Sequence, residues 1–163
     1  MLRYGTLGYL TSRKQTLMIK KIKRDNDPNS GMVVAPGGKM QDGEIVEESV
    51  RREFREETGL ELIDPKLLGT VLYDNTGRDF DNFDNAKNFY VYVFGTNQYS
   101  GDLKTEVDEG YPEWVNNEEM PHINPRECDT MLWELVRSNR PFNAVFKYSG
   151  KELDRDNTRI MEF

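Results

Sequence analysis

The stretch from Pro36 to Leu60 constrains this chain more than any other. Pro36 has no backbone N–H and Gly37-Gly38 have no Cβ, so neither a helix nor a central strand runs through them. Gly43 precedes Glu44, so a helix can begin only at about residues 44–46. Thr58-Gly59 stops it, with Gly59 in the place that a left-handed C-terminal cap favours. Between these limits Val46, Val50 and Phe54 recur every fourth residue, an inward stripe about 80° wide at 3.6 residues per turn.

The charges divide on the same wheel. At about 100° per residue, Glu48, Arg51, Arg52 and Arg55 fall on the far side, where Glu48 and Arg52 have the spacing of a solvated i,i+4 contact. Glu53 and Glu57 land about 20° on either side of Val46, and Glu56 lies further round, nearer the Glu53 margin. Carboxylates on a covered face are costly unless paired or bound to a cation. Three of them converging beside a glycine turn point to a site for hard metal ions rather than to a solvated Glu/Arg surface.

Gly38, five residues, Glu44, seven residues, then Arg52-Glu53-Phe54-x-Glu56-Glu57-x-Gly59-Leu60 resembles the Nudix box of the Nudix hydrolases at every fixed position. That resemblance implies an α+β chain with the Nudix fold, an α/β/α sandwich around a central mixed β-sheet. It implies Mg²⁺, with Mn²⁺ as a substitute, held by Glu53, Glu56, Glu57 and a backbone carbonyl of Gly37 or Gly38. By the same resemblance Arg52 orients Glu53, Glu44 braces the loop against the helix, and the substrate is a nucleotide cleaved at a phosphoanhydride bond. The tail, Arg140-Pro-Phe142 followed by Phe146-Lys-Tyr-Ser-Gly150, is similar to the end of MutT-type 8-oxo-dGTP diphosphatases. In those relatives a further loop glutamate binds metal or acts as base; Glu109 matches it, with Glu106 and Asp108 as rivals. An acidic residue before the last helix contacts the purine there; Asp129 matches by position, and Arg126 replaces a neighbouring aromatic. Val34 stands where such relatives carry an asparagine. Another Nudix substrate, such as ADP-ribose or an ordinary dNTP, and a regulatory domain that binds a nucleotide without hydrolysis are the alternatives.

Composition narrows the remaining classes. The 163 residues make one domain's worth of chain, 1–163, with no linker, repeat or low-complexity tract. With 29 acidic against 22 basic side chains and a net charge of −7, a broad nucleic-acid surface is disfavoured, whereas bound cations can invert an acidic pocket for a small phosphorylated molecule. Cys128 alone excludes a disulfide framework or a cysteine zinc cluster, and His122 alone disfavours a His-Asp-Ser hydrolase, leaving proton abstraction to a carboxylate or a metal-bound water. No apolar run approaches the roughly 20 residues of a membrane span and no signal-peptide core is present, so a cytoplasmic protein, monomer or homodimer, is expected.

The rest of the chain supplies the frame. Residues 3–11 and 16–22 read as a hairpin, 32–35 as a short buried strand, and 66–73 and 87–94 as long strands, the latter covered on both faces. Residues 111–115 form a strand, about 125–138 a helix with Met131, Leu132, Leu135 and Val136 inward, and 142–148 a terminal hairpin with the strand near 158–163. In the run Lys20-Lys21-Ile22-Lys23-Arg24, Lys21 and Lys23 either reach a phosphate or edge a solvated strand end; Lys39 is a further candidate. The aspartates of 75–85 lack EF-hand spacing, so that loop reads as a hairpin connection from which Phe83 or Phe80 covers a bound base.

Overall fold

The computed structural model describes residues 2–25, 27, 29–76, 88–124 and 126–163. Phe80 and Phe83, with most of the aspartate-rich loop, lie outside the described residues.

The opening hairpin does not form as such. Ser12 N–H donates to the Gln15 carbonyl at 2.8 Å and one bridge joins Thr11 to Thr16, but β1 (Arg3–Leu10) and β2 (Gln15–Lys21) then part into different sheets. The reason is that both edges of each strand are taken. β1 pairs in parallel with β7 (Phe89–Thr96) and antiparallel with β4 (Gly37–Lys39), while β2 lies between β3 (Val33–Val34) and β9 (Gly110–Asn116). β4 is an edge strand, which is where a glycine pair after proline can sit.

The central sheet is mixed. Beyond β7 come β6 (Lys66–Asp74), antiparallel to it, then β10 (Phe142–Ser149), parallel to β6, and β10 is flanked by β11 (Glu152–Leu153) and β12 (Arg159–Glu162). The expected pairing of 142–148 with the last strand is present as the antiparallel pairs from Phe142–Glu162 to Val145–Arg159, and the turn at its end carries the additional short strand β11, paired as Tyr148–Leu153 and Ser149–Glu152. A small antiparallel pair, β5 (Glu61–Ile63) with β8 (Gln98–Ser100), was not legible as strands.

Two helices cover the sheet. α1 (Val46–Thr58) and α2 (Glu127–Arg137) match the expected spans to within two residues at each end. Alternation along β7 sorts the faces: Val91 and Val93 join the core under α2, whereas Tyr92 and Phe94 pack with Val50 and Phe54 of α1. α1 approaches β1 closely enough that a Cβ at Gly8 would stand 2.8 Å from the Phe54 ring. In α2, Leu132 and Leu135 are buried as expected, and so are Cys128 and Trp133. Among the described residues, no helix is long and apolar enough to cross a membrane.

Candidate active site

α1 is fixed at both ends by its own residues. The Glu48 carboxylate accepts the Ile45 N–H at 3.1 Å, and with Glu47 it places negative charge on the positive end of the helix. Glu48 therefore does not pair with Arg52. At the other end Gly59 adopts φ +82°, its N–H donates to the Arg55 carbonyl at 2.9 Å, and the Leu60 N–H reaches Thr58 Oγ1 at 3.0 Å. The helix thus ends where Glu53, Glu56 and Glu57 fall beside β4.

Glu57 points inward as the wheel requires. It is 8% exposed, and its Oε2 accepts the Gly37 N–H at 3.2 Å. Burial, and then the charges of Glu53 and Glu109, push its carboxyl up to about 8 against the opposing effects of the Gly37 amide and Lys21. Glu53 lies against Gly38, where an added Cβ would stand 2.6 Å from its carboxyl carbon. Burial raises its pKa too, opposed by Arg52 and reinforced by Glu56 and Glu109. Of the loop acids, Glu109 is half-buried and acts on both Glu53 and Glu57, whereas Glu106 and Asp108 are exposed.

Arg52 corrects the wheel. Its guanidinium turns toward the glycine loop: it donates to Glu53 at 2.7 Å, to Glu56 at 3.3 Å, to the Lys39 carbonyl at 3.1 Å and to both Glu44 oxygens. Glu44 also accepts the Gln41 N–H at 2.8 Å, so it ties the loop to the helix. The hydrogen bonds from Arg52 and then Gln41 hold the Glu44 carboxyl at about 2, and the Glu44 bond in turn raises Arg52. Arg51 and Arg55 do face away, toward Glu47 and Glu61.

The donor set fits a hard cation. Two desolvated carboxylates, both raised further by the charge of Glu109, stand at a glycine pair with no Cβ between them and the loop carbonyls. Among the described residues no three acidic, histidine or cysteine side chains form a ready-made ligand group, since Arg52 draws Glu53 and Glu56 to itself.

A cavity of about 370 Å³ extends from this edge between β1, β3, β6, β7 and α2. Gly37, Gly38, Lys39, Lys21 and Glu57 line it, as do Val34 and Asp129. Lys21 pairs with Asp27 at 3.7 Å. Lys23 is exposed and is not part of the wall. The wall also contains Tyr9, Tyr73, Asn29, Asn124 and Arg126, which carry no motif. They come from four separate segments, and only the tertiary fold assembles them.

The comparisons fit this geometry. The NUDIX domain model matches residues 1–133, and a Nudix hydrolase of Bacillus subtilis, YvcI, is 39% identical over 123 residues, 75% of each chain. The chain belongs to the Nudix family. An oxidized purine nucleoside triphosphate hydrolase of Danio rerio is 27% identical over 117 residues, 72% of this chain and 70% of its own. The crystal structure of a MutT protein from Bacillus halodurans superposes with a TM-score of 0.78 at 27% identity, covering 97% of both chains. This Nudix hydrolase therefore shares an architecture with a MutT protein over nearly its whole length, including β10 to β12 beyond the matched NUDIX domain.

Proposed function

We propose that this chain is a Mg²⁺-dependent nucleoside triphosphate pyrophosphohydrolase of MutT type, releasing a nucleoside monophosphate and pyrophosphate. The observation that carries this reading is the convergence of Glu53, Glu57 and the charge of Glu109 on the Gly37-Gly38 edge, at a cavity large enough for a nucleoside. Similarity to a hydrolase of oxidized purine nucleoside triphosphates supports the same class, with 8-oxo-dGTP among the candidate substrates.

The residues divide the work. Glu53, Glu56, Glu57 and a Gly37 or Gly38 carbonyl would hold Mg²⁺, or Mn²⁺ in its place. The bound ion supplies charge neutralisation of the diphosphate and a more acidic water. Glu53 or Glu109 takes the proton of the attacking water; burial has raised Glu53 toward the range a general base needs. Arg52 positions Glu53, and Glu44 positions Arg52. Lys21 and Lys39, both in the cavity wall, would take phosphate oxygens, and Asp129, in the same wall, would face the base.

Glu57→Gln removes the carboxyl group that a bound ion would need in its ionised form, while keeping the shape and a hydrogen-bond acceptor for Gly37. Turnover of a mixed dNTP pool should fall by orders of magnitude with little change in the melting curve. Near wild-type hydrolysis by that variant would refute the assignment. Product analysis separates the neighbouring reading: pyrophosphate marks triphosphate cleavage, and two monophosphates mark ADP-ribose cleavage.

A further inference from the structure

A second polar group in the cavity wall owes nothing to the Nudix box. Arg126 donates from Nε and Nη2 to Asp129, at 2.9 and 3.3 Å, and from Nη1 to Asn29 Oδ1 at 2.8 Å. Asn124 fastens the group to β3: its Oδ1 accepts the Val33 N–H at 3.1 Å, and its Nδ2 donates to the Val33 carbonyl and, at 3.4 Å, to Asp129.

The Arg126 group has donors left over. A guanidinium carries five N–H donors in a rigid fork. Those three bonds leave one on each Nη without an acceptor among the described residues. Asp129 accepts from Arg126 twice and from Asn124, with the Cys128 sulfur 3.9 Å away, so most of its lone pairs are taken. The phenols of Tyr9 and Tyr73 line the same cavity. Burial raises both, and Asp129 adds to the rise, so both hydroxyls keep their protons at neutral pH. The Tyr9 hydroxyl has no hydrogen bond to a described residue, which adds another donor.

A purine complements such a recess with its acceptors. Guanine and hypoxanthine present a carbonyl at position 6 beside the ring acceptor N7, whereas adenine presents an amino donor at position 6. We propose that Arg126 is the specificity-determining residue of the cavity, donating to the position-6 carbonyl and so selecting 6-oxopurine over 6-aminopurine nucleotides. The inference rests on the nucleotide reading above. Asp129 then acts through Arg126, which it holds in plane, rather than as the group that touches the base.

The test compares dITP with dATP, which differ at the position-6 edge and share sugar and triphosphate, using pyrophosphate release by the full chain with Mg²⁺. Wild type should favour dITP in kcat/KM on the order of tenfold or more, the usual worth of a good base-edge contact. Arg126→Lys keeps a cation beside Asp129 but loses the fork. It should bring the ratio close to one, chiefly by raising KM for dITP. The ratio is internal to each preparation, so partial unfolding of the variant lowers both rates and leaves it unmoved. A wild-type ratio near one, or a ratio that survives Arg126→Lys, overturns the proposal while leaving triphosphate cleavage standing. Absence of pyrophosphate from both substrates overturns the triphosphate reading and this inference with it.

Discussion

Arg52 and Glu57 sit on one helix, and the wheel placed one of them well and the other badly. Glu57 is short and its Cα faces the core, so direction decides where its oxygens go. Arg52 starts on the outer face, but a long flexible stem carries its guanidinium round to Glu44, Glu53 and the Lys39 carbonyl. Helical periodicity reports where a Cα points; for arginine the tip is settled by whichever acceptors lie within reach. The Glu44–Arg52 contact has a measurable signature. Glu44 is depressed from 4.5 to about 2, so its stabilisation is fully present above the unfolded value and is lost as pH falls toward 2. Glu44→Gln should melt lower than wild type at pH 7, with the gap closing between about pH 4.5 and 2 as the wild-type carboxylate protonates. A gap that stays constant over that range would mean that Glu44 does not act through its charge. Because Glu44 touches Arg52 and Arg52 touches Glu53, activity should fall as well, on the order of 10- to 100-fold for an outer partner of a metal ligand.

At the scale of elements, the sequence defined α1 nearly to the residue, because proline, paired glycines and a left-handed cap are local signals. Strand pairing was less legible. The Ser12–Gln15 turn reads as a hairpin, yet which strand takes which edge depends on β4, β7 and β9, all distant in sequence. The junction of β4 and α1 carries the sharpest steric demand. Gly38 does not have a positive φ, so alanine is acceptable to the backbone there. Its Cβ would nonetheless meet all three atoms of the Glu53 carboxyl group at 2.6 to 2.7 Å. Glu53 is the movable partner, so Gly38→Ala should displace its carboxylate and leave the fold in place. The expected outcome is a melting temperature within a few degrees of wild type and a loss of turnover of about tenfold or more. Full activity in Gly38→Ala would show that the gap between β4 and Glu53 is not needed for the chemistry.

For the whole molecule, the NUDIX domain match ends at residue 133, but the core does not. β10 turns Phe142, Ala144, Phe146 and Tyr148 inward, all buried, and pairs in parallel with β6 over six residue pairs. Parallel strands are normally covered on both faces, so cutting β10 away exposes both the edge of β6 and the core beneath α2. Each large apolar side chain contributes about 1.5–3 kcal/mol when buried, against a total stability of about 5–15 kcal/mol for a domain. Losing three aromatic rings together with their hydrogen-bonded strand therefore removes about as much as such a domain has. A fragment of residues 1–138, which retains the Nudix box and α2, should show no cooperative thermal transition and no hydrolysis, whereas the full chain melts in one step. The circular-dichroism melt of that fragment is the check. A sharp transition from it would place the folding unit within residues 1–138 and reduce the last three strands to an addition on a sheet that stands without them.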